Sequence, residues 1–402
     1  MVSKDISNEF RVGKVDEFEL SLLLGGLFTS IIQKDNEVFY SRDDKAWSVK
    51  LLYEKSVLEK VEAGSELKND EISSIQQQID NDLLVDSCKR VGRVILFSLY
   101  PVEGYFRLDK LLQIIPVPDN APRSKFLGAE HPFVVEYLFS ASYNKSIHIA
   151  RLERHARDIA LLLNVLLECK ISHIGIKSQY HWNLIPSATT NDIESQYLRE
   201  GYTFPGFVKG IEAMSPLDNI QQMKSVLSDE YYLRSGIEGL RSLEIAYSIP
   251  DLILRYTNLP RKEHKLFLRS AFWYYYAQKV LPFSQSAYIV GMISAIETLI
   301  PKKNDNSTVC KECKKPLTSV TKRFINFVNN LVNSQNDDVL KKLYSLRSRL
   351  AHGDELLSID EELLFSLNPV TSKEMIMIER ISLIAKTVLI NWLKLKTNQS
   401  QK

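Results

Sequence analysis

The chain has 402 residues, 45% of them hydrophobic and 25% charged, with a formal net charge of +2. That is the make-up of an ordinary globular protein, not of a disordered or fibrous one, and the length exceeds one ordinary core, which predicts two or three domains. The opening MVSKDISNEF lacks the basic and apolar regions of a signal peptide. The longest apolar run, residues 22–32, falls short of the about 20 residues that span a bilayer, so a cytoplasmic protein with no membrane partner is expected.

The near-neutral total conceals an asymmetry. Residues 261–402 hold 22 Lys+Arg against 13 Asp+Glu, whereas residues 1–260 hold 29 against 36. A basic end attracts polyanions at long range, most simply nucleic acid. A plain solvated face is the competing reading of the same charges.

In chain order, residues 46–61, 93–108 and 131–142 alternate as strands do and are rich in β-branched and aromatic side chains. Pro118 to Pro122 and other polar clusters interrupt them. Residues 70–82 are polar and Gln-rich, which predicts an exposed helix or loop. From Arg151 to Cys169, the residues Ile159, Leu162, Leu163, Leu166 and Leu167 recur at helical spacing. A less regular stretch with Pro186, Pro205 and Pro216 follows. Helices are expected over 217–228 and 236–258, the second kinked or split at Ile249–Pro250. From Lys262 onward the pattern is helical throughout, with helices over 262–280, 284–300, 317–334, 337–351 and 373–396, enough for an antiparallel bundle. The expected fold class is α+β. Residues 1–205 form a mixed α/β sensor or specificity domain, 206–260 a helical connector and 261–402 an all-α bundle.

The stretch Leu343 to Gly353 carries the chemistry. At 100° per residue, Val339, Leu346 and Leu350 lie within about 60° of Leu343 and form the core stripe. Lys341, Tyr344, Ser348 and His352 fall on one polar strip. Arg347 lies at the stripe's edge, where its stem can pack while the guanidinium snorkels out. Gly353 is a natural residue just past a helix end, which puts His352 at the terminus. Ser348 and His352 are four residues apart, so the hydroxyl is placed to orient the imidazole. A histidine can move protons to or from the 2′-OH and the 5′-oxygen of RNA, and an arginine can clamp the phosphate on which charge grows. With the 2′-OH as nucleophile no metal cofactor is needed for catalysis. One helix offers one histidine. Two helices across a two-fold axis would offer an acid and a base together.

This stretch resembles the HEPN superfamily, whose hallmark is Arg-x4–6-His at the end of a bundle helix, and within it the ApeA-like branch. Arg269 to Ala277 is similar to that branch's first-helix signature. Residues 287–299 are similar to its apolar second helix, which ends in an acidic position, here Glu297. A C-x2-C insertion before Thr318 to Ile325 is also similar. The resemblance covers about 262–396 and implies a metal-independent endoribonuclease, active as a homodimer or higher even oligomer, used in defence against phage or as a toxin-like effector. It implies Arg347 as phosphate-binding residue, His352 as catalytic histidine and Ser348 as polar helper. Ser348 departs from the Asn, Asp or His common after the arginine.

Lys322, Arg323, Lys341, Tyr344 and Arg349 are candidates for contacting RNA. The aromatic run Phe272 to Tyr276 either stacks bases or packs the bundle. Cys310 and Cys313 have knuckle spacing for a structural zinc, although zinc takes four ligands and no second pair follows; two free thiols are the other reading. Cys88 and Cys169 read as small buried hydrophobes. His148, His155, His173 and His181 form no ligand pattern. Two further readings stay open: an inactive HEPN-fold binding or scaffold module whose dimer brings the N-terminal domains together, and a zinc-dependent nucleic-acid adaptor.

Overall fold

The computed structural model describes residues 3–84, 88–122, 131–173, 180–186, 193–199, 202–233, 242–301, 319–332, 337–361 and 369–396. The chain is α+β. Its first unit runs β1 (Lys4–Asp5), α1 (Glu17–Leu27), β2 (Ser30–Lys34), β3 (Glu37–Arg42), β4 (Trp47–Glu54), β5 (Val57–Ala63) and α2 (Asn69–Ile79), followed by one π-helical turn, Asp80–Leu84. The strands pair antiparallel in the order β1-β5-β4-β3-β2. Leu20 and Leu24 of α1 and Ile72, Ile75 and Ile79 of α2 bury against Val49, Leu51 and Val61. The Gln-rich stretch is thus a helix with a packed side, because its three isoleucines recur on one face while the glutamines take the other.

The second unit runs β6 (Cys88–Ser98), β7 (Phe106–Leu108), β8 (Leu112–Pro116), β9 (His131–Ala141), α3 (Lys145–Leu166) and β10 (Ile171–Ser172). Its antiparallel sheet has the order β10-β6-β9-β8-β7. Alternation sorts its side chains between two faces. Val94, Leu96, Val135 and Tyr137 join the core that contains α3, while Ile95, Phe97 and Val134 lie with Phe204 in a separate small cluster. β11 (Tyr180–Pro186) and β12 (Ile193–Arg199) form a hairpin, and β13 (Gly210–Ile211) pairs with β6. Next come β14 (Ser225–Val226), α4 (Ser228–Leu233), β15 (Ile245–Ala246) and α5 (Ile249–Thr257).

Two expectations fail in this stretch. Residues 217–228 are not a helix, because the backbone of Tyr105, in an isolated bridge just before β7, engages them: Tyr105 N–H donates to the Gln221 carbonyl at 2.8 Å and Met223 N–H to the Tyr105 carbonyl at 2.8 Å. Of the helix expected over 236–258, residues 236–241 lie outside the described residues, Ile245–Ala246 form β15, and Pro250 starts a short helix instead of kinking a long one. It occupies the first turn of α5, where a missing N–H costs nothing.

The remaining described elements are helical: α6 (Arg261–Val280), α7 (Gln285–Leu299), α8 (Val320–Val332), α9 (Asp337–His352), α10 (Ser358–Glu361) and α11 (Pro369–Lys394). They follow the expected spans closely. One continuous set of buried residues extends from Val94 in the second sheet through α3 into α6, α7, α9 and α11. Lys386 of α11 marks that seam. Its ammonium donates to the Leu167 and Glu168 carbonyls just past the end of α3, and burial lowers its amine to about 8. Between the first two units, Arg151 of α3 donates to Glu19 of α1 at 2.7 and 3.0 Å, both residues being buried. Cys169 is buried beside Ser98 and Cys88 is half-buried. Among the described residues no helix is long and apolar enough to cross a membrane.

Candidate active site

α9 carries the site, and its core stripe sets the orientation of everything else. Leu340, Leu343, Leu346 and Leu350 are buried against the bundle, which leaves Lys341, Lys342 and Arg349 on the exposed side. The helix ends as the sequence predicts. Gly353 takes φ +78°, a conformation that a Cβ would strain. Asp354 N–H donates back to the Arg349 carbonyl at 3.0 Å and Gly353 N–H to the Leu350 carbonyl at 3.3 Å. This paired closure satisfies two of the last carbonyls and fixes the exposed His352 at the final helical position.

Arg347 does not snorkel freely. Its Nη2 donates to Glu297 Oε2 of α7 at 2.6 Å, and the other carboxylate oxygen accepts the Tyr344 hydroxyl at 2.8 Å. The Glu297 and Arg347 side chains are about a quarter exposed, at 22% and 25%. The Arg347 Nε is buried and has no hydrogen-bond partner among the described residues. Tyr344 lies against Phe324 of α8 with ring centroids 4.8 Å apart. Burial, then its bond to Glu297, pushes its phenol up to about 12, so it stays a hydrogen-bond donor throughout the physiological range. The helical wheel had put Tyr344 on the polar strip. It is instead buried, because α8 covers that side of α9, and it buttresses the carboxylate that holds Arg347.

The other predicted residues spread around this triad. Ser348 is half-buried, one turn before His352, and no hydrogen bond joins the two among the described residues. Arg349 is ion-paired with Glu355 at 2.9 Å and donates to Ser345 at 2.9 Å. Arg323 donates to the Pro301 carbonyl at 3.0 Å, while Lys322 and Lys341 are exposed. Cys310 and Cys313, the expected zinc ligands, lie outside the described residues. The aromatic run is divided: Tyr274 and Tyr275 are buried in the bundle, and Phe272, Trp273 and Tyr276 form a half-open cluster.

Comparison with protein-family models, curated proteins and solved structures finds no match for this chain.

Two groups escaped sequence reasoning as members of the site. Glu297, noted in the sequence only as the acidic position ending the second helix, is the one charged residue on α7, and its pairing with Arg347 was not foreseen. Asp360 of α10 was the other. Its carboxylate accepts from the backbone N–H groups of Gln285 and Ser286 at 2.9 and 2.7 Å and from the Ser284 hydroxyl at 2.8 Å. It thereby caps α7 and ties down the chain that leaves His352. Burial raises its carboxyl, but the Ser286 hydroxyl together with those three donors holds it below its ordinary value.

Beside His352 a groove of about 290 Å³ opens between α6, α7, the end of α9 and Leu356. The arrangement offers a supported guanidinium, an exposed imidazole at a rigid helix end and basic side chains on the flank. Chemically it can bind a phosphodiester and move one proton.

Proposed function

We propose that the chain is a metal-independent endoribonuclease of HEPN type, cutting RNA (tRNA being one candidate substrate) by 2′-OH attack at a composite homodimer site, in anti-phage defence or as a toxin-like effector. The observation that carries this reading is the Glu297–Tyr344–Arg347 triad, which sets a guanidinium five residues from a histidine at a capped helix end.

In this reading Arg347 binds the scissile phosphate with the N–H groups that Glu297 leaves free, and stabilises the charge on the pentacoordinate phosphorane. His352 of one protomer takes the proton from the 2′-OH, whose oxygen then attacks phosphorus. The partner's His352 gives a proton to the departing 5′-oxygen. The products are a 2′,3′-cyclic phosphate and a 5′-OH. Lys322, Lys341 and Arg323 contribute long-range attraction for the RNA backbone.

A second reading, an inactive HEPN-fold scaffold, draws support from the ion pair itself, since Glu297 already neutralises part of the Arg347 charge. Incubation with total RNA in the presence of EDTA separates the two. The ribonuclease reading expects cleavage by the wild type and a loss of about 100-fold or more in His352→Ala and Arg347→Ala. Equal behaviour of all three proteins supports the scaffold.

A further inference from the structure

α6 turns one stripe of side chains outward. Lys262, Lys265, Arg269, Phe272, Tyr276 and Lys279 recur at alternating spacings of three and four residues. At about 100° per residue they fall within an arc of about 100°. All are exposed except Phe272, which is half-buried. The other side of the helix, with Phe267, Ala271, Tyr274 and Ala277, is buried in the bundle.

The stripe carries four cations, Lys262, Lys265, Arg269 and Lys279, and no acid. Glu263, the one acidic residue of α6, lies off the stripe and pairs with Lys396 at 2.7 Å. Among the described residues no carboxylate pairs with any of the four cations. Lys279 lies instead over the Tyr275 ring at 5.4 Å. A plain solvated helix face interleaves opposite charges three or four residues apart, because such pairs favour the helix. Here Lys262, Lys265 and Arg269 set like charges at those same spacings, which disfavours it. A polyanion laid along the helix removes that repulsion.

The rings in the stripe select the polyanion. Tyr276 is 43% exposed. Phe272 backs it, the two rings 17° from parallel with centroids 6.3 Å apart, and Trp273 meets it edge-on at 5.9 Å. A propped, open ring between Arg269 and Lys279 suits a base that stacks beside its own phosphates, whatever its sequence. A duplex keeps its bases stacked inside and leaves such a ring unused. An anionic lipid surface has no flat group to lay on it.

We infer that this face of α6 is a track for single-stranded RNA, with phosphates on Lys262, Lys265, Arg269 and Lys279 and an unpaired base on Tyr276. Lys262 to Lys279 spans about 26 Å along the helix axis, room for several nucleotides. The track stands on its own charges and rings. It rests on the ribonuclease reading only in where it leads: Tyr276 also lines the groove whose wall includes Ala351, the residue before His352.

The test reads binding of the full chain to a labelled strand of about 12 nucleotides, by fluorescence anisotropy over a range of salt. The strand is 2′-O-methylated throughout, so it cannot be cut by its own 2′-OH. Each phosphate contact adds about 0.7 to the salt slope for a single strand. Lys262→Gln/Lys265→Gln/Arg269→Gln should therefore lower the slope by about 2 and weaken binding about 30-fold or more at physiological salt. Tyr276→Leu should weaken binding about tenfold with the slope unchanged. Lys55→Gln, at a side chain 89% exposed on the first sheet, should change neither. Photo-crosslinking of a strand that carries 4-thiouridine should mark the tryptic peptide 270–279 in the wild type, a readout that needs no variant to fold. Absence of binding, variants that bind as the wild type does, or crosslinks confined to other peptides would overturn the inference. So would tighter binding of a duplex of the same length, or of vesicles of phosphatidylcholine and phosphatidylserine. Binding along this track by a protein that cuts no unmodified RNA would strike the ribonuclease reading and leave the track standing. Undiminished cleavage by the triple variant would do the reverse.

Discussion

Glu297→Gln is the substitution that probes the site's internal logic. It keeps the shape of the side chain and removes the charge. The carboxylate holds Arg347 at 2.6 Å and the Tyr344 hydroxyl at 2.8 Å. A hydrogen bond to a charged group nets about 1.5–3 kcal/mol. Since both ion-pair partners are about a quarter exposed (22% and 25%), solvent screening brings this one below that range, to about 1–1.5 kcal/mol. Melting should fall by about 1–2 °C for a chain of this length. For catalysis, loosening the guanidinium is expected to lower kcat/KM about tenfold, equivalent to about 1.4 kcal/mol, with most of the loss in kcat because Arg347 serves the charge that develops in the transition state. Initial rates on a defined RNA oligomer and thermal melts on the same samples give both numbers, and Glu297→Asp should recover part of the rate. Faster cleavage by Glu297→Gln would refute the reasoning and make the carboxylate a restraint on Arg347. A lower melting temperature with an unchanged kcat would reduce Glu297 to a structural role.

Other consequences are open to direct measurement. Burial lowers His173 to about 4 and moves His155 and His264 in the same direction. A histidine held neutral in the fold binds fewer protons than in the unfolded chain, so stability is full above about pH 6.5 and is lost as pH falls toward 4. His173 alone accounts for about 2 kcal/mol between pH 7.5 and 5; melts across that range should fall with acid, less steeply in His173→Leu, and a flat profile would contradict this burial. A Cβ at Gly291 would lie 2.9 Å from the Ala277 Cβ, so Gly291→Val should separate α6 from α7 and cost about 1–3 kcal/mol in chemical denaturation; an unchanged midpoint would show that the crossing tolerates the extra bulk. A structural zinc on Cys310 and Cys313 predicts bound metal after chelating-resin treatment and a lower melting temperature for Cys310→Ser, with half a zinc per chain marking a site shared by two copies. Metal-free protein with an unaltered melt would remove the zinc.

How much of this was legible depends on how far apart in sequence the partners lie. The helices after Lys262 were readable because their apolar residues repeat locally, and the cap at Gly353 because one glycine at the end of a periodic run has one main use. The α+β class followed from alternation in β6 and β9 set against the period of α3. Local pattern misled where distant groups decide. Residues 217–228 have a helix-compatible composition, yet Tyr105 takes their backbone hydrogen bonds. Tyr344 sits on the polar side of an isolated helix and is buried only because Phe324 arrives from α8. The Glu297–Arg347 pair spans 50 residues, and no spacing rule links them.

The central claim, cleavage by the RNA's own 2′-OH under the control of Arg347 and His352, is tested most directly by the end groups of the products. A single-cut RNA oligomer digested in EDTA should yield a 5′ fragment ending in 2′,3′-cyclic phosphate or 3′-phosphate and a 3′ fragment beginning with 5′-OH, both absent with His352→Ala. A 2′-deoxy substitution at the cut position should abolish the reaction. Fragments bearing 5′-phosphate, cleavage restored only by Mg²⁺, or undiminished cutting of the 2′-deoxy oligomer would contradict the account.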